Sequence, residues 1–201
     1  YVAVAAAMEL SGRLPAVELN VSCPNTDDGL QFGEHPRKLT ELLAAVRPVL
    51  KSTRMFVKLS PNVGDIAAMA NAAIDSGADA LTLINTVSAM AIDVDSRRPR
   101  LSRGRGGLRG PGSHPIAVRM VHEVYRSVAN AANIPIIGLG GVLSWKDAAE
   151  LILAGASAVG VGTALFVDPM LPGTIARGLE HWVSREGCPS ISELVGQVRM
   201  S

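Results

Sequence analysis

The chain is short of several things at once: aromatic residues make up 3% of its 201 positions, cysteine occurs twice, and the formal net charge is +1. Each shortage excludes something. Without an excess of positive charge there is no overall basic field, so charge points neither to nucleic acid nor to an anionic membrane surface, and any anion must be held locally. Cys23 and Cys188 lie far apart in a chain with no secretory signature, so both are expected to be reduced, in the cytoplasm. The apolar opening YVAVAAAMEL is far too short to span a bilayer and lacks a basic leader and cleavage site, which leaves one buried helix as its expected form. The two cysteines and the scattered His35, His114, His122 and His181 show no metal-ligand spacing.

What is present is alternation. An apolar fraction of 48%, rich in alanine and valine, suits an α/β protein with one sizeable core. Spacing and stop signals predict helices near residues 1–12, 37–50, 66–76, 116–132, 145–154 and 170–185, and strands near 17–22, 55–59, 80–85, 135–139 and 158–161. Five strand-helix units in a row mean a parallel sheet. A doubly wound sheet usually carries its nucleotide loop after the first strand, whereas Gly140, Gly141, Gly162 and Thr163 follow the last two strands. That is the phosphate position of a (β/α)8 barrel. Since a barrel needs eight strands, the five counted here are expected to be its later units, with three more on the N-terminal side.

The stretch VELNVSCPN runs from strand alternation into polar chemistry. Val17, Leu19 and Val21 share one face and Glu18, Asn20 and Ser22 the other, after which Cys23, Pro24 and Asn25 break the pattern. Strand ends are where parallel sheets place reactive groups. Asn20, Asn25 and Asn85 sit at or beyond such ends and offer the donors and acceptors a planar polar ligand needs. Cys23 is either an inert thiol or, on a loop among polar neighbours, a general base. Lys58 lies in the apolar strand MFVKLS, where a cation calls for an acceptor or a ligand. Paired glycines let backbone N–H groups approach phosphate, although strand-end glycines also serve as plain turns. The long connection 86–115, with Asp93, Asp95, Arg97, Arg98 and the run RGRGGLRG, reads as a ligand-covering loop rather than an RNA-binding segment.

The segments ELNVSCPNT, FVKLSPNV, LTLINT, GGLRGP, IPIIGLGGV and AVGVGTALF, in this order and over nearly the whole chain, resemble the dihydroorotate dehydrogenases, FMN-containing (β/α)8 barrels of pyrimidine biosynthesis. Cysteine at position 23 resembles class 1, since the membrane-associated class 2 carries serine there. INTVSAMAIDV and RRPRL are most similar to the NAD-linked subclass, whose catalytic FMN subunit pairs with an electron-transfer subunit holding FAD and an iron-sulfur cluster. The resemblance implies that residues 1–201 are the C-terminal portion of a single FMN-binding barrel domain, about its last five β/α units, in a homodimer acting on dihydroorotate. It implies Cys23 as the base that removes the C5 proton while hydride passes from C6 to flavin. By the same likeness Asn20 touches flavin and substrate, and Asn25, Asn85 and Thr86 the substrate. Lys58 sits at the electron-accepting edge of the flavin, Ile84 and Gly110 line it, and Gly140, Gly141, Gly162 and Thr163 hold its phosphate. Where the family usually reads GGLSGPAIKP this chain reads GGLRGPGSHP, placing Arg109 and His114 near the flavin loop. Two other readings stand beside it: a related FMN-barrel dihydropyrimidine dehydrogenase, and a non-catalytic fragment inactive without the N-terminal strands.

Overall fold

The computed structural model describes residues 1–22 and 32–200. Strands β1 (Ala16–Asn20), β2 (Arg54–Lys58) and β3 (Ala80–Leu83) come first. Four short strands then occupy the long connection: β4 (Val87–Ala89), β5 (Ile92–Asp93), β6 (Arg98–Pro99) and β7 (Gly106–Leu108). Strands β8 (Ile136–Leu139) and β9 (Ala158–Gly160) complete the set. The order β1-β2-β3-β8-β9 forms one sheet in which each neighbouring pair is parallel. The helices are α1 (Val2–Leu10), α2 (Pro36–Val46), α3 (Ile66–Asp75), α4 (His114–Val124), α5 (Trp145–Ala154) and α6 (Leu171–Glu186). Five strand-helix units in sequential order are the later part of a barrel plan, as the glycine placement predicts.

Local chemistry explains the boundaries. Pro36 opens α2 at a position whose N–H needs no helical partner, and Leu39, Leu42, Leu43 and Val46 form its fully or nearly fully buried stripe. Each such side chain stabilises the fold by about 1.5–3 kcal/mol, so Leu43→Ala is enough to loosen this unit. Asp65 caps α3 by accepting a hydrogen bond from Ala68 N at 2.8 Å. At the start of α5, Ser144 Oγ accepts from Asp147 N while Asp147 Oδ2 accepts from Ser144 Oγ at 2.9 Å and Leu143 N at 3.0 Å. Ser144 and Asp147 thus bond reciprocally, a variant of the capping box in which the aspartate takes the N–H of the residue before the cap. Gly187 stops α6 in a left-handed conformation, φ +69°. Trp145, the first residue of α5, lies so close to α6 that a Cβ at Gly178 would meet its ring at 2.4 Å.

Three details depart from the sequence reading. Helix α1 buries Ala5 but leaves Val2, Val4, Met8 and Leu10 exposed, because among the described residues its neighbours cover only one side. The long connection is not structureless: β4 pairs with β7 and β5 with β6 as small antiparallel ladders. The helix expected over 116–132 starts two residues earlier and changes to a π-helical turn over Tyr125–Ala129, where the Tyr125 ring fills the space in front of Gly155 and Gly196. Among the described residues no helix is long and apolar enough to cross a membrane.

Candidate active site

A cleft of about 370 Å³ opens at the C-terminal ends of the sheet strands. Its lining brings together Lys58, Ile84, Asn85, Thr86, Gly110, Gly140, Gly141, Gly162 and Thr163, contributed by the ends of β2, β3, β8 and β9 and by the long connection. These are nine of the residues singled out from the sequence. Cys23 and Asn25 lie outside the described residues. Asn20 is not itself on the cleft wall, but its Oδ1 accepts from Asn85 Nδ2 at 2.9 Å, and Asn85 is.

Asn85 organises the polar side of the cleft. Its Nδ2 also donates to Ser22 Oγ at 2.8 Å, and its Oδ1 accepts from Thr86 N at 2.8 Å. One amide thus ties the end of β1 to the turn after β3 and sets the approach of Asn20 and Thr86. Lys58 stands opposite Asn20 in the β1-β2 register and opposite Thr82 in the β2-β3 register. Its Nζ is 3.5 Å from Glu18 Oε1, and Thr82 Oγ1 donates to Glu18 Oε2 at 2.6 Å. At 20% exposure the Lys58 side chain is held at the base of the cleft by one carboxylate. Its charge retains the capacity to meet a ligand anion.

Sequence reasoning passed over Glu18 as a strand residue and Asn62 as a chain breaker. Asn62 Nδ2 donates to Thr86 O at 3.0 Å and its Oδ1 accepts from Ser88 N at 2.8 Å, so it holds the first residues of the long connection. Leu108, Arg109, Ser113, Leu139 and Phe166 also line the cleft. The available signal was register: Glu18 is on the same strand face as Asn20, two residues from the partner of Lys58.

The glycines create the space. A Cβ at Gly141, where φ is +65°, would lie 2.6 Å from Gly110 O and 2.8 Å from His114 Cβ, so two loops meet there with no room for a side chain. At Gly110 and Gly162 a Cβ would meet no described residue within 4 Å, so bare backbone faces open space on the cleft wall. Such a cradle, with Thr163 beside it and a cation at the base, is suited to a ligand with a phosphate tail and a planar head.

A parallel α/β sheet with a cleft at the strand C-termini and glycines after the last two strands defines a barrel-type α/β fold. The profile of the family described as "Dihydroorotate dehydrogenase" matches residues 1–183. The chain belongs to the dihydroorotate dehydrogenase family. It is 47% identical over 201 residues to the "Dihydroorotate dehydrogenase B (NAD(+)), catalytic subunit" of Bacteroides fragilis, covering 100% of this chain and 65% of that relative. The protein of the same name from Pelobacter propionicus is 48% identical over 195 residues, 94% of this chain and 62% of its own length. The chain therefore spans just under two thirds of the length of these relatives. A crystal structure of the Eimeria tenella enzyme DHODH in complex with ferulenol superposes with a TM-score of 0.77, covering 91% of this chain and 54% of that one at 24% identity. At that identity it supports the fold alone.

Proposed function

We propose that this chain is the C-terminal portion of a single FMN-binding (β/α)8 domain that oxidises (S)-dihydroorotate to orotate in cytoplasmic UMP biosynthesis. The observation that carries this reading is the 47% identity along every residue to a catalytic subunit of that name, combined with a cleft formed by nine of the expected residues. FMN fits on structural grounds, since bare backbone at Gly110 and Gly162 fronts open space and Lys58 supplies a cation. When bound, FMN supplies the hydride acceptor for C6 of the substrate.

The chain's own groups do the rest. Cys23 as thiolate takes the C5 proton, its reference pKa of about 8.5 suiting general-base work at mildly alkaline pH. As the C5–H electron pair becomes the C5=C6 double bond, hydride leaves C6. Asn20, Asn25, Asn85 and Thr86 hold the pyrimidine plane between these two transfers. The Asn85 bonds to Asn20 and Ser22 fix that clamp before substrate arrives. Lys58 opposes negative charge at the electron-accepting edge. Gly140, Gly141, Gly162 and Thr163 receive the phosphate, and Ile84 and Gly110 flank the ring. A partner subunit holding FAD and an iron-sulfur cluster would supply the route for electrons to NAD, with the catalytic chains paired as a homodimer.

The test is anaerobic addition of (S)-dihydroorotate to the FMN-loaded protein, reading flavin bleaching and orotate formation. Cys23→Ser is expected to slow bleaching at neutral pH by about 100-fold or more. Flavin bound normally with no orotate formed would overturn the proposal, and faster bleaching by dihydrouracil would transfer it to the dihydropyrimidine dehydrogenases. A second reading is favoured by the sheet itself, whose outer strands β1 and β9 each have one parallel neighbour among the described residues. Open edges seek partners. On that reading the chain holds FMN only when co-expressed with the N-terminal third of the Bacteroides fragilis relative.

A further inference from the structure

His114 stands on the far side of the cleft wall, and its two ring nitrogens have different surroundings. Nδ1 is 2.7 Å from the carbonyl oxygen of Gly140. A carbonyl only accepts, so Nδ1 carries the proton and, in the neutral ring, Nε2 presents a bare lone pair. That lone pair is buried and has no hydrogen-bond partner among the described residues. The side chain as a whole is 9% exposed, and Nε2 points toward Glu150, whose Oε2 lies 3.7 Å away.

Helix α5 presents Asp147 and Glu150 on one face, three residues apart. One ligand atom from each of His114, Asp147 and Glu150 lies within 4.8 Å of the others. Asp147 is oriented by Leu143 N and Ser144 Oγ, both bonding to Oδ2. The nearby Arg119 is engaged elsewhere, 2.6 Å from Glu123, and among the described residues no lysine or arginine pairs with Glu150. Three potential ligand groups thus converge.

We propose that His114 Nε2, Asp147 and Glu150 form a binding site for a divalent transition cation of the zinc type. A ligating histidine is typically locked by donating its other nitrogen to a backbone carbonyl, and a ligating carboxylate by its own hydrogen bonds; both conditions are met here. Ligand atoms on one tetrahedral zinc lie about 3–3.5 Å apart, so the 3.7 Å between Nε2 and Oε2 closes with a small rotation of the exposed Glu150. Imidazole nitrogen with two carboxylates favours zinc, cobalt or manganese over magnesium or calcium. The ion ties the first residue of α4 to the first two turns of α5. Since Gly110 and Ser113 line the cleft on one side and Val142 and Leu143 on the other, it joins two walls of the ligand site from behind.

The test is titration of the whole chain with Co²⁺ and Zn²⁺ after chelator treatment. One Co²⁺ per chain is expected, with tetrahedral visible bands and no near-ultraviolet thiolate charge transfer, which separates this site from Cys23 and Cys188. Zn²⁺ is expected to raise the thermal midpoint and EDTA to reverse the rise. Because Glu150 is exposed, Glu150→Gln retains the fold, and it is expected to weaken Co²⁺ binding by about tenfold or more; His181→Gln leaves it unchanged. Failure to bind one equivalent, a thiolate band, or equal affinity in Glu150→Gln each overturns the proposal. These readouts do not involve flavin or substrate, so they stand apart from the catalytic assignment.

Discussion

The two ends of the same parallel sheet are built to opposite rules. At the N-terminal end, carboxylates are saturated. Asp79 accepts from Met55 N at 2.8 Å, Arg54 at 2.9 Å and Arg47 at 3.0 Å, joining the starts of β2 and β3 to the end of α2. Glu9 accepts from Ser52 N and Oγ, both at 2.8 Å, and from Thr53 N at 3.0 Å, fastening α1 to the turn before β2. At the C-terminal end, among the described residues, Gly110 and Gly162 face open space and Lys58 has one ion-pair partner, at 3.5 Å. One end has its carboxylates matched in advance, while the other, beside its bonded asparagines, turns bare glycine backbone and a cation to the cleft. Stability and binding should therefore be separable by position.

The sharpest way to break that separation is Gly141→Val. A side chain at φ +65°, with backbone oxygen 2.6 Å from its Cβ, forces the Gly110 and Gly141 loops apart. Loss of FMN retention is expected together with about 1–3 kcal/mol of stability, read by flavin content and denaturant midpoint. Next in size is Asp79→Asn. Burial alone would raise the Asp79 pKa, but hydrogen bonds from Met55, Arg54 and Arg47 and the charge of Arg47 bring it below the ordinary value. Replacing the carboxylate is expected to cost about 1–3 kcal/mol while leaving ligand affinity unchanged. Equal losses of stability and affinity would erase the distinction between the ends.

Gly162→Ala probes the converse. Its methyl group meets no atom of the described residues within 4 Å, so denaturation should shift by less than about 1 kcal/mol while FMN binding weakens about tenfold. The smallest effect is expected at Glu9, whose hydrogen bonds from Thr53 and Ser52 lower its pKa from 4.5 to about 2. A depressed folded-state pKa adds stability that is complete above the ordinary value and disappears as pH falls through the folded one. Glu9→Gln should therefore flatten the acid limb of stability between pH 4.5 and 2, without altering the neutral cleft.

Much of the cleft was legible in the sequence because its residues announce themselves locally. Glycine pairs after strands, a lysine inside an apolar strand and asparagines at strand ends each violate the pattern around them. Glu18 and Asn62 do not. Glu18 alternates correctly as a solvent-face strand residue, and only the β1-β2 register reveals that it meets Lys58. Asn62 follows Pro61 and looks like a turn former until its bonds to Thr86 and Ser88 are seen. The His114, Asp147 and Glu150 cluster was hidden for a different reason. His114 stands more than thirty positions before Asp147 and Glu150, on a different unit, and no ligand-spacing rule spans a βα crossover. Helix boundaries were readable to within a few residues wherever a capping group marks them, as at Asp65 and Ser144. The π-helical turn was not, since it depends on how Tyr125 fits against Gly155 and Gly196.

The packing of Trp145 against Gly178 also gives the molecule an optical reporter. The chain has two tryptophans, Trp145 and Trp182, and the first follows directly on Leu143 and Ser144, at the rim of the cleft. Indole emission overlaps flavin absorption, so occupancy of the cleft should be visible as quenched fluorescence in an unlabelled protein. Trp145→Phe should abolish most of that signal, converting a packing contact into a direct gauge of whether the site is full.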